Sequence, residues 1–186
     1  MLPDLLRESL DVVFVGINPS LYSAAKGHYF ARHGNRFWPC FSRSVLSRPV
    51  REALGVERLE AVHDRFLPEH GFGFTDVVKR ATARAGDVPP HEFAVGAREL
   101  VARLQRFRPR LACFHGVTGY RHVVRHIAPV ADKPTLGLQL ARIGDTRCFV
   151  VPNPSGANAH FTLDDQTQWY DRLADALQFA RAPSGA

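Results

Sequence analysis

Three short segments of the chain are apolar almost without a break: residues 11–16 (DVVFVG), 110–116 (RLACFHG) and 146–152 (TRCFVVP). Strands covered on both faces read this way, because neither set of alternating side chains meets water. Residues 72–78 (FGFTDVV) are a further strand or an extended loop. Between these segments the apolar positions switch to helical spacing. In residues 90–107, Phe93, Ala97, Leu100, Val101 and Leu104 fall on one stripe, with Pro89-Pro90 at its start and Pro109 beyond its end. Residues 35–46 (NRFWPCFSRSVL) carry a second helical pattern, whose start Pro39 places near itself. Residues 118–127 are a candidate for a shorter helix. Residues 164–180 form a closing helix, and its acidic first turn suits the helix dipole. Strands alternating with helices predict an α/β fold, a three-layer α/β/α sandwich on a mainly parallel central sheet. The pattern fits a single domain over residues 1–186, with a core of about 5–181 and frayed ends beyond it.

In such sheets ligands bind outside the carboxyl ends of the strands. Two loops leave strand ends with the same chemistry: Gly16-Ile17-Asn18-Pro19-Ser20 and Pro152-Asn153-Pro154-Ser155-Gly156. Each proline stiffens its loop and removes a donor. Each asparagine offers both a donor and an acceptor, and each serine adds a hydroxyl. Taken singly, either loop reads as an ordinary turn. As a pair at neighbouring strand ends, they frame a pocket suited to a neutral polar ring.

Composition narrows the partner. The chain has 186 residues, 45% hydrophobic and 23% charged, with a net charge of +6. Its only lysines are Lys26, Lys79 and Lys133, so the positive charge is mostly arginine, which grips phosphate through a planar fork. That balance suits a polyanion without requiring one. No apolar run reaches transmembrane length and the N-terminus lacks a signal-peptide pattern, so the expectation is a cytoplasmic protein without a membrane partner. Cys40, Cys113 and Cys148 form no CxxC pair, and Cys113 and Cys148 sit in strand-like runs as buried thiols. His122 and His126 have a zinc-ligand spacing but no third ligand, and no metal is expected. Dinucleotide, P-loop and GxSxG signatures are absent. Of the other histidines, His28 and His33 are expected to meet phosphate or solvent, while His115 lines the cleft or is structural. Arg103, Arg106, Arg108 and Arg110 read as a solvated face at a helix end, with a DNA-backbone contact as the alternative.

The segment GINPSLYSAAKGHYFARHGNRFW resembles the first motif of the mismatch-specific uracil-DNA glycosylase and thymine-DNA glycosylase family. VPNPSGANAHF resembles its second motif, and GFGFTDVVKRATA its central Thr-Asp/Lys segment. The resemblance runs from about Leu10 to Leu177. It implies a monofunctional glycosylase that flips a base from double-stranded DNA with a G·U or G·T mismatch and hydrolyses its N-glycosidic bond. Uracil would be the substrate, with thymine or etheno-cytosine beside it. The implied enzyme is a monomer at the nucleoid that needs no cofactor and no obligate protein partner. A damage-binding module with little cleavage is the alternative.

By the same resemblance, Asn18 holds the attacking water. Gly16, Ile17, Tyr22, Ser23, Phe30 and Asn153 form the base pocket, with Ile17 acting through its main chain and Phe30 by stacking. Asn35, Arg36 and Phe37 anchor the first loop to the helix that follows. Ser155, Gly156, Ala157, Asn158 and His160 enter the DNA. Relatives often carry a bulkier apolar residue where this chain has Ala157, and an arginine where it has Ala159. Asn158 or His160 is then left to meet the opposite base. Asparagine orients water but is a poor base, whereas a carboxylate activates it. Asp76, in the Thr-Asp position where some relatives carry lysine, is therefore a second catalytic candidate. Its other reading is a capping or salt-bridging residue beside Lys79 and Arg80.

Overall fold

The computed structural model describes residues 1–128 and 133–181. Five strands form one sheet: β1 (Val12–Gly16), β2 (Phe72–Asp76), β3 (Leu111–His115), β4 (Gly137–Ile143) and β5 (Thr146–Val151), in the spatial order β2-β1-β3-β5-β4. All neighbours are parallel except β4 on β5. Successive side chains of β1 enter opposite cores, as the two-residue period of a strand requires. Val12 and Phe14 point into an aromatic core with Phe37, Phe41, Phe74 and Tyr170, whereas Val13 and Val15 pack with Leu100, Phe114 and Val150. The first core is closed by α2 (Phe37–Arg43) and α6 (Leu163–Arg181), the second by α4 (Pro90–Phe107) and α5 (Val117–Ile127). The expected three-layer sandwich is therefore present, and residues 72–76 are a strand.

Five local features differ from expectation. The polar stretch after β1 contains a short helix, α1 (Leu21–Lys26), capped by Ser20 Oγ accepting from the Ser23 N–H and ended by Gly27 in the left-handed region at φ 73°. α2 begins at Phe37 rather than Pro39; the proline falls in the first turn, where a missing N–H leaves nothing unpaired. The predicted helix also stops at Arg43, and α3 (Arg48–Leu54) follows a 3-10 turn at Val45–Ser47. β4 has no counterpart in the sequence reading: it is an edge strand whose Leu138 and Leu140 face solvent. The N-terminus is not frayed, since Leu2 is buried and Leu5 pairs with Phe74 by two main-chain hydrogen bonds of 2.9 and 3.0 Å. The C-terminal fraying expected after Arg181 lies outside the described residues. Among the described residues no helix is long and apolar enough to cross a membrane.

Candidate active site

The chain leaves β1 for β2 on one side and then returns to β3 on the other, so the strand order reverses around β1. A crevice at the carboxyl ends of the strands is the consequence. It is a cleft of about 440 Å³, and both Asn-Pro-Ser turns line it: Gly16 through Ser20 on one wall, Asn153 through Ser155 on the other. Arg36 ties the walls together. Its N–H donates to Pro154 O at 2.8 Å, and its Nη1 donates to Asn158 O at 3.1 Å and Phe161 O at 2.6 Å. Asn35 Oδ1 accepts from the Phe37 N–H at 2.9 Å, which starts α2. Arg36, one of the three residues expected to anchor the first loop, thus also fixes the second. Gly156 lies on Gly34, where a Cβ would come within 2.7 Å of the Gly34 oxygen. Arg36→Ala should cost about 2–3 kcal/mol by removing hydrogen bonds from a charged donor, a loss that denaturant unfolding measures.

Asn18 is held by its amide nitrogen alone. Nδ2 donates to Thr82 Oγ1 at 2.7 Å and to Arg80 O at 3.0 Å, with a longer contact to Pro19 O at 3.3 Å. This fixes the amide plane and leaves Oδ1 as an acceptor with no partner among the described residues. The main-chain N–H groups of Ile17 and Asn18 likewise have no acceptor there, while Gly16 O and Ile17 O take the Val77 and Val78 N–H groups. The rim of the cleft therefore offers two donors and one oriented oxygen.

Asp76 ends β2 directly beside Gly16 in the sheet register. A Cβ at Gly16 would overlap Asp76 Oδ1, so glycine there gives the carboxylate its place. Asp76 is 3% exposed, and its Oδ2 is buried without a hydrogen-bond partner. The salt-bridge reading of this residue fails: Lys79 pairs with Asp4 at 2.7 Å and Arg80 with Glu92 at 2.9 Å. Burial pushes the Asp76 carboxyl up to about 7; Lys79 and Arg103 pull against that rise and Asp4 adds to it. Arg103 is no solvated residue either, since its Nη2 donates to the Asp76 main-chain oxygen at 3.0 Å.

Phe30 stands at φ 53°, a left-handed conformation uncommon for a side chain of this size. Its ring stacks on Phe37 at 4.4 Å and lies 4.9 Å from the His115 ring, and it lines the cleft. Ser23 supports it from behind by accepting the Ala31 N–H at 3.1 Å. His115 both lines the cleft and is structural. Its Nδ1–H donates to Val15 O at 3.2 Å, which leaves Nε2 to accept from the Tyr170 hydroxyl at 3.1 Å. Burial holds this imidazole neutral, with its pKa lowered to about 3. Tyr22 is 47% exposed and lies outside the cleft lining, with Lys26 over its ring. His28 is not a free phosphate contact, because Nδ1 pairs with buried Asp64 at 2.9 Å.

In the second loop, Asn153 Oδ1 accepts the Ser155 N–H at 2.9 Å and so closes its own turn. Asn158 Nδ2 donates to Asn153 O at 2.9 Å, and its Oδ1 accepts the His160 N–H at 3.3 Å. The Asn158 side chain is therefore spent on holding the loop. Ser155 and Ala157 line the cleft, whereas Gly156, Asn158 and His160 do not; Gly156, Ala157 and His160 are exposed. The structure also adds residues that the sequence reading missed. Arg32 and Arg84 line the mouth, exposed and in no ion pair among the described residues. Arg32 was within reach, since it lies two residues beyond Phe30 in the first motif, and so was Thr82, inside the Thr-Asp/Lys segment; nothing local marked Arg84 or Leu2. His122, weighed for zinc, stacks on Phe93 at 4.1 Å.

Comparison with known proteins bears on this cleft. The sequence profile described as "Uracil DNA glycosylase superfamily" matches residues 3–178. The "G/U mismatch-specific uracil DNA glycosylase" of Schizosaccharomyces pombe is 28% identical over 178 residues, which cover 94% of this chain and 53% of that protein. The chain thus spans about half the length of this curated relative.

Proposed function

Because the chain belongs to the uracil DNA glycosylase superfamily, we propose that it excises uracil from G·U mismatches in double-stranded DNA, hydrolysing the N-glycosidic bond of a flipped nucleotide. The observation that carries this reading is the convergence of both Asn-Pro-Ser turns, the Phe30 ring and the Asp76 carboxylate on one cleft. The name of the Schizosaccharomyces pombe relative supports the same substrate. Thymine and etheno-cytosine are secondary candidates. The protein acts as a monomer without a cofactor or an obligate protein partner, in the cytoplasm at the nucleoid, and initiates base excision repair.

Glycosidic cleavage builds positive charge on the sugar and negative charge on the departing base. The free N–H groups of Ile17 and Asn18 supply preorganised donors for that base anion, the kind of interaction that often contributes most to rate. Phe30 stacks on the ring, and Asn18 Oδ1 holds the water. Asp76, when ionised, takes the proton of the water and stabilises the cationic sugar. Asn153 and Ser155 close the pocket from the second turn. Arg32 and Arg84 flank the mouth, where the phosphates of a flipped nucleotide pass. The exposed loop around Ala157 fills the vacated stack only weakly, because its side chains are small. Flipping is therefore favoured where pairing is already poor, as at a mismatch.

The small wedge also supports a second reading, a module that holds a damaged base without cutting it. Incubation with a G·U duplex and chromatography of the released base separates the two. Free uracil is the expected result, and a stable gel shift without release would leave only the binder. A second comparison tests the wedge: excision opposite guanine should exceed excision opposite adenine, and equal rates would mean that the enzyme does not sense the weakened pair.

A further inference from the structure

The first residues of the chain form a strap behind the cleft. Leu5 pairs with Phe74 on β2, Leu2 is buried against the cleft, and Pro3 O accepts from the Tyr29 hydroxyl at 3.1 Å. This docking sets Asp4 at the centre of a half-buried charge cluster. Asp4 Oδ1 accepts from Thr75 Oγ1 at 2.6 Å and from Lys79 Nζ at 2.7 Å, and Oδ2 lies 3.6 Å from Arg103 Nε. Lys79 Nζ also reaches the Tyr29 hydroxyl at 3.3 Å, and Arg103 Nη2 is spent on the Asp76 main-chain oxygen. The two cations beside Asp76 are thus both drawn to Asp4. Among the described residues, the Asp76 carboxylate is in no ion pair.

We propose that Asp4 is a positioning residue of the active site: a substitute counter-ion that keeps Lys79 and Arg103 off the Asp76 carboxylate, which therefore stays unpaired in the cleft. The inference rests on the reading of Asp76 as the water-activating group. A carboxylate bonded to an ammonium gives up proton affinity, and with it strength as a base. Five titratable or charged side chains lie around Asp76 or line the same cleft. Lys79 comes from the segment after β2, Arg103 from α4, Asp4 from the strap, Tyr29 from the loop after α1 and His115 from β3. Burial holds both Tyr29 and His115 neutral. The local charge balance therefore reduces to Asp4 against Lys79 and Arg103, with Asp4 opposing the pull of the two cations on Asp76.

The test follows the Asp76 side-chain carboxyl resonance by carbon-13 NMR across pH, in the full chain and in Asp4→Asn and Lys79→Met. Asp4→Asn should lower the Asp76 midpoint by about 0.5 pH unit or more, because Lys79 is freed to turn toward it. Lys79→Met should raise it. Opposite displacements separate electrostatics from general loosening, which hydrates the carboxylate and lowers the midpoint in both variants. An unchanged or raised midpoint in Asp4→Asn would overturn the proposal. In the Lys79→Met background the Asp4→Asn change should lower the midpoint less, because there is no ammonium to release; an equal fall in both backgrounds would mean that Asp4 acts through its own charge alone and would overturn the proposal. If Asp4→Asn does not fold, Asp4→Ser takes its place under the same criterion. The titration needs no turnover, so its failure and the failure of the glycosylase reading are seen in different experiments.

Discussion

Asp76→Asn lowers single-turnover excision of uracil from a G·U duplex by about 100-fold or more, the low end of what a positioned acid–base group contributes. The remaining activity is that of Asn18 and the free N–H groups at the β1 end, which orient water and receive the base but take no proton. The pH profile carries the same claim. With its carboxyl pushed up to about 7, Asp76 is protonated and inactive as a base in mild acid, and becomes ionised as pH rises through neutrality. Wild-type excision should therefore climb across about pH 6–8 and then level, while Asp76→Asn should be flat over that window. A variant that keeps both the rate and the rising limb would remove Asp76 from the chemistry.

The same substitution makes the protein more stable at alkaline pH. The folded-state carboxyl is raised from 3.8 to about 7, so the native state binds a proton that the unfolded chain has already released. The stabilisation linked to this group is fully present below 3.8 and is lost as pH rises through about 7. Its loss costs on the order of 4 kcal/mol once the carboxylate is fully charged. Asparagine carries no charge to desolvate, so urea unfolding at pH 8 should show Asp76→Asn more stable by about 2–4 kcal/mol, the amide remaining short of partners. At pH 4 the two proteins should be nearly equal. A variant less stable than wild type at pH 8 would mean that Asp76 has partners that its surroundings do not show. A site that is costly to keep and cheaper to abolish fits a group retained for chemistry.

Most of the fold was legible because it rests on local pattern. The unbroken apolar runs of β1, β3 and β5 and the stripe on α4 each state their own burial. The edge strand β4 was not, because its outward Leu138 and Leu140 run against the rule that apolar residues face inward; the alternation with Gln139 was its one signal. At the site, the repeated Asn-Pro-Ser gave the two walls, and the topology then had to bring them together. The role of Arg36 was half visible: its place before α2 was plain, but its three bonds to residues 154–161 depend on the fold. The isolation of Asp76 was hidden altogether. It depends on Asp4 and Arg103, which meet β2 from distant parts of the chain, and the sequence neighbours Lys79 and Arg80 suggested a salt bridge that both spend elsewhere.

The most direct measurement compares alkali-labile strand breaks at the uracil of a labelled G·U duplex, formed under single-turnover conditions by the wild type and by the Asn18→Ala/Asp76→Asn double variant. Breaks are expected with the wild type, and none above the spontaneous level with the double variant. Equal breaks with both would place the chemistry outside this cleft.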